Sequence, residues 1–182
     1  VEGEPLRGRR ADAEGLAYQG DGVWLVSFER EHRVKAYPIG TDGADIGTAI
    51  PERLAHPPGA ENFAYNGSLE ALAVQSGFAW VGVEYPSLDG THTVIRYDLA
   101  RPDEKPGVYA IRLTPGFGLV AFAELGEGGL IAVERFFARG IGNRIRISRI
   151  SEAAIIAPVG QGEVEWLALM TPDMTVDNME GA

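Results

Sequence analysis

Asp12-Ala-Glu-Gly-Leu-Ala17 is followed, one glycine-rich turn later, by Trp24-Leu-Val-Ser-Phe-Glu29, and this pair of short apolar segments recurs along the chain. It returns as Ser68-Leu-Glu-Ala-Leu-Ala73 with Trp80-Val-Gly-Val-Glu84, then as Leu119-Val-Ala-Phe-Ala123 with Leu130-Ile-Ala-Val-Glu134. A fourth start stands at Asp177-Asn-Met-Glu-Gly-Ala182. Glu84 follows Glu29 by 55 residues and Glu134 follows Glu84 by 50. That period is expected of a four-stranded propeller blade rather than of a helical solenoid.

Around these pairs, Ala13 to Tyr18, Val23 to Glu29 and Arg33 to Ile39 read as strands, joined by Gln19-Gly-Asp-Gly22 and Arg30-Glu-His32. Asp-Gly between alternating apolar runs is a hairpin signal, because the tight turn needs positive φ. An outer strand is expected near Asp45 to Ile50, and the proline-rich stretch from Pro51 to Gly67 reads as a connection between blades. The second blade runs Leu69 to Val74, Phe78 to Glu84, Thr93 to Leu99 and Val108 to Leu113. The third runs Gly118 to Leu125, Leu130 to Phe136, Arg144 to Ile150 and Glu163 to Met170, although Val164, Leu167 and Ala168 also satisfy a helical period. The chain is thus expected to be all-β, one propeller domain over 1–182 with blades at 12–50, 68–113 and 118–170 and the start of another at 177–182. A ring needs between about four and eight blades to protect its edges, so this chain is expected to cover only part of one.

Composition narrows the function classes. The 24 glycines and 11 prolines are spread between apolar runs, the punctuation of an all-β protein. There is no cysteine, which excludes disulfides, thiolate metal sites and cysteine nucleophiles. A formal charge of −10 disfavours nucleic acid as a partner. No stretch approaches the length of a membrane span. Val1 opens without a charged-then-apolar leader, and the residues alone assign no compartment. Arg144 and Arg146 alternate with Ile145 and Ile147, which predicts a solvated strand face for the arginines. His32, His56 and His92 fall in expected loops without a second histidine at ligand spacing, and read as surface residues. No Gly-x-Ser-x-Gly elbow occurs.

The glutamates form two series. Glu14, Glu70 and Glu180 open a first strand, with a break near Val120 in the third blade; Glu29, Glu84 and Glu134 close a second strand in all three. First strands are innermost in a propeller, so carboxylates of several blades would converge on one channel. A carboxylate beside a packed β core needs a partner. Converging carboxylates suit a hard cation such as calcium, which takes six to eight oxygens. Alternatively, each accepts hydrogen bonds from backbone amides of the neighbouring blade and joins the blades. Arg30 and Arg135, each directly after a strand-end glutamate, are candidates to meet a small anionic substrate at the channel mouth.

Taken together, Asp12 to Ala17 with Trp24 to Glu29, Leu69 to Ala73 with Val81 to Glu84, Leu130 to Arg135 and Asp177 to Gly181 resemble the phytase-like family of bacterial propellers, described by an esterase-like activity of the phytase type. The resemblance covers nearly the whole chain. It implies a β-propeller exported to the periplasm or secreted, acting on a phosphate ester or another ester. It further implies calcium bridging acidic side chains and substrate phosphate, with Glu14, Glu29, Glu70, Glu84, Glu134 and Glu180 as matching acids and Arg30 and Arg135 as basic partners. No catalytic residue is assigned. Two functions follow: a calcium-dependent phosphoesterase-like hydrolase, or a non-catalytic propeller that binds a ligand or protein partner and uses its glutamates structurally.

Overall fold

The computed structural model describes residues 7–126, 128–174 and 176. Among them lie twelve strands in three four-stranded antiparallel sheets, each a propeller blade. The first sheet is β1 (Ala13–Gly20), β2 (Val23–Phe28), β3 (Arg33–Pro38) and β4 (Glu52–Arg53), paired in chain order. The second is β5 (Leu69–Gln75), β6 (Phe78–Val83), β7 (His92–Asp98) and β8 (Gly107–Ile111), and the third β9 (Gly118–Leu125), β10 (Gly129–Ala138), β11 (Gly142–Ser151) and β12 (Val164–Met170). The innermost strands neighbour one another, β5 packing against both β1 and β9.

Alternation along the strands builds the core between the sheets rather than within one. Leu25, Val34, Leu69, Leu72, Val81 and Ile95 close the interface of the first two blades. Trp80, Val94, Leu119, Phe122, Leu130 and Ile150 close that of the second and third. Each large aliphatic or aromatic side chain buried this way contributes about 1.5–3 kcal/mol. Neighbouring sheets approach so closely at these strands that small residues are required. A Cβ on Gly15 would lie 2.6 Å from Leu72 Cβ and from Ser27 Oγ, and one on Gly82 would lie 2.5 Å from Leu119 Cδ2.

Several local expectations are corrected. The outer strand of the first blade is not at 45–50, where turns prevail, but at Glu52–Arg53, paired with Lys35 and Ala36. The expected connection from Pro51 therefore begins with a strand. Residues 164–170 form β12 and not a helix, since they complete the third ladder against β11. The helix in this region is α1 (Glu152–Ile156), whose first turn is capped by Ser151 Oγ accepting from the Ala154 amide at 3.1 Å. The fourth blade start at 177–182 lies outside the described residues.

Candidate functional site

Each innermost strand breaks register near its start. The irregularity falls between Ala13 and Leu16 in β1 and between Leu69 and Ala71 in β5. In β9 it falls between Leu119 and Ala121, opposite Glu134 and Val133. A bulge leaves a residue without a ladder partner and re-aims its side chain. Glu70 and Val120 are the unpaired residues in the second and third blades, and Glu14 lies in the irregular stretch of the first. The break in the first glutamate series has a packing counterpart, because Val120 is buried with Ala121, Val133 and Ile145.

Glu29 and Glu84 directly follow β2 and β6. Their amides donate to equivalent carbonyls at the start of the same blade, Glu29 to Asp12 at 3.0 Å and Glu84 to Ser68 at 2.8 Å. Both side chains then reach the next blade. Glu29 Oε1 accepts from the Gly67 amide at 2.6 Å, and Glu84 Oε1 accepts from Arg135 Nη2 at 3.1 Å. Gly118 is glycine for room: a Cβ there would lie 2.9 Å from Glu84 Cγ.

These positions bring four of the six expected acids into one electrostatic neighbourhood. Burial first, then the negative charges of Glu84, Glu29 and Glu14, push the Glu70 carboxyl up to about 9, while the Arg135 guanidinium pulls the other way. Burial also raises Glu84, opposed by Arg135. Carboxylate oxygens of Asp12, Glu14 and Glu29 lie within 4.8 Å of one another. Asp12 is held by Arg30, whose Nε stands 2.6 Å from Asp12 Oδ2 and donates to Asn66 Oδ1 at 3.2 Å. Arg30 adopts a left-handed backbone, φ 55°, which turns the chain out of β2. Asp12 was not among the acids expected from the sequence. It stands two residues before Glu14 on near-extended chain, and that same-side spacing was the available signal.

Glu134 follows a different course. It is mid-strand rather than at a strand end, because β10 continues to Ala138. Its side chain is fully buried and both oxygens are used, Oε2 by the Thr114 amide at 2.7 Å and Oε1 by Ser148 Oγ at 3.0 Å. Opposite it in register stands Arg146, which donates to Thr114 Oγ1 and lies over the Trp166 ring. Arg146 is buried, so the solvated face expected for Arg144 and Arg146 holds for the exposed Arg144 and not for Arg146. His92, expected at the surface, is 1% exposed as the first residue of β7, with Nδ1 3.2 Å from the Val83 carbonyl. Burial lowers its pKa. Glu180 lies outside the described residues.

Arg135 lines a cleft of about 610 Å³ at the same end of the sheets, together with Glu84, Tyr85, Phe117 and Phe136. The site is therefore an oxygen-rich acidic cluster with a guanidinium on each side, Arg30 by the first blade and Arg135 by the third. The sequence profile of the phytase-like family, described as esterase-like activity of phytase, matches residues 1–182, the whole chain. The chain belongs to this phytase-like family. Among curated proteins none matches it. The phytase-like fold is the one seen here, and the family description makes esterase-like hydrolysis the activity class to test.

Proposed function

We propose that this phytase-like protein hydrolyses phosphate or other esters with calcium held at the acidic end of its channel. The observation that carries the reading is the meeting of Asp12, Glu14 and Glu29 within 4.8 Å. The donor set fits the ion, since it offers carboxylate oxygen and neither sulfur nor imidazole. Glu70 and Glu84 stand beside it and resist ionisation there, a cost that a divalent cation would offset. Asp12, Glu14 and Glu29 would hold the ion. When bound, it neutralises ester charge and lowers the pKa of a water.

The chain's own residues do the positioning. Arg30 fixes Asp12, and the Gly67 amide fixes the rotamer of Glu29. On the cleft side Arg135 presents a planar fork of donors, suited to an anionic ester oxygen. The test is turnover of 4-nitrophenyl phosphate and 4-nitrophenyl acetate by calcium-loaded protein, then after chelation and after calcium is returned. Activity that follows the calcium supports the reading; a calcium-loaded protein that turns over neither ester contradicts it.

A non-catalytic propeller that binds a ligand or protein partner is favoured by one observation. Glu29 and Glu134 each accept a backbone amide from a segment outside their own strand, as structural joints would. On that reading Glu29→Gln lowers stability and leaves calcium binding unchanged.

A further inference from the structure

We propose that the cleft between the second and third sheets seats an aromatic ring, so that the ester this protein takes is an aryl ester whose anionic group faces Arg135; the orientation rests on the hydrolase reading, whereas the ring site stands on the cleft itself. The cleft measures about 610 Å³, within the range of small-molecule sites. Its walls carry four aromatic rings, Tyr85, Phe117, Phe136 and Phe137. Phe117 and Phe136 stand 5.5 Å apart between centroids at 34°, within the range of interacting aromatic rings to which a third ring can add. Tyr85 and Phe137 remain 54% and 68% exposed, so the apolar surface gathers at the cleft instead of packing into the core. Such a gathered patch marks a binding surface more often than a single exposed side chain does.

Charge points to the same class. The lining carries one arginine, Arg135, and that guanidinium already meets Glu84 at 3.1 Å. A densely phosphorylated ligand would need several cations around it, and this lining has a matched pair. A ring bearing a single anionic group needs only apolar walls and one charged end. Glu84 supplies the link, because its carboxylate lines the cleft and also interacts with Glu70 in the acidic cluster.

The test is calorimetric binding of phenylphosphonate and methylphosphonate to the full chain, with calcium and without. Neither probe is hydrolysed. The expected result is binding of phenylphosphonate at least tenfold tighter than methylphosphonate. Phe137→Ala, at an exposed position, and Phe136→Leu should each bring the ratio below about threefold while methylphosphonate binding stays unchanged. Equal affinities in the wild-type protein, no binding of phenylphosphonate, or a ratio unchanged in both variants overturns the ring site. Phenylphosphonate preference without turnover of phenyl phosphate keeps the ring site and removes the hydrolase reading. Equal kcat/KM for phenyl phosphate and glycerol phosphate does the reverse.

Discussion

Glu29 and Glu134 occupy the same place in the repeat and live in opposite surroundings. Glu29 stands at the end of β2 with its carboxylate shared between the Gly67 amide and a group of other acids. Glu134 stands within β10, sealed from solvent, each oxygen matched to a donor and a buried arginine opposite. A repeat therefore assigns a backbone position, while the neighbours decide what the carboxylate does. Where Gly67, Asn66 and Arg30 surround it, charge remains to be balanced. Where Thr114, Ser148 and Arg146 surround it, the balance is complete.

The largest expected effect comes from breaking the completed side. Glu134→Ala leaves the Thr114 amide and the Ser148 hydroxyl without their buried acceptor, and each buried donor left unsatisfied costs about 1–3 kcal/mol. Denaturant unfolding should show a lower midpoint with unchanged slope. A loss under about 1 kcal/mol would mean that Glu134 is as replaceable as a surface acid.

The next effect comes from the unbalanced side and depends on pH. Glu70 ionises at about 9 in the folded protein against 4.5 in the open chain. Between those values the folded state keeps a proton that the unfolded state releases, so stability falls as pH rises. Calcium-free protein should lose thermal stability between pH 6.5 and 8.5, and Glu70→Gln should flatten that decline. The same decline in Glu70→Gln would place its cause elsewhere.

A smaller effect should appear at acid pH. His92 is buried neutral with a lowered pKa, so below 6.5 the unfolded chain takes up a proton that the folded state resists. Stability present above 6.5 is then lost as pH falls. His32 is lowered in the same direction, also by burial first, and contributes to the same limb. His92→Gln should reduce the slope below pH 6.5 and leave the region above it unchanged. A difference from wild type confined to alkaline pH would contradict this.

The blades were legible in the sequence because their signal repeats: a carboxylate after an apolar strand recurs, and strand alternation gives the ladders. What failed was local. β4 is two residues long and carries no period, whereas residues 45–50 carry apolar Ile46 and Ile50 that the structure leaves exposed. Alternation showed that Arg144 and Arg146 share a side of β11 but not what covers that side, and Phe117 and Trp166 flank Arg146. Asp12 opens the first repeat, but its counterpart in the second is Ser68, so no acid recurs at that place, and its partner Arg30 is placed by a positive φ that no apolar pattern announces. The bulges that aim Glu14 and Glu70 are likewise a property of pairing between strands and not of either strand alone.

The most direct measurement is calcium titration by calorimetry of the wild-type protein beside Glu14→Gln and Glu134→Gln. The expected result is binding by the wild type, a loss of at least tenfold in affinity for Glu14→Gln, and unchanged affinity with lowered stability for Glu134→Gln. No binding by the wild type, or an equal loss in both variants, would contradict the division between the two glutamate environments.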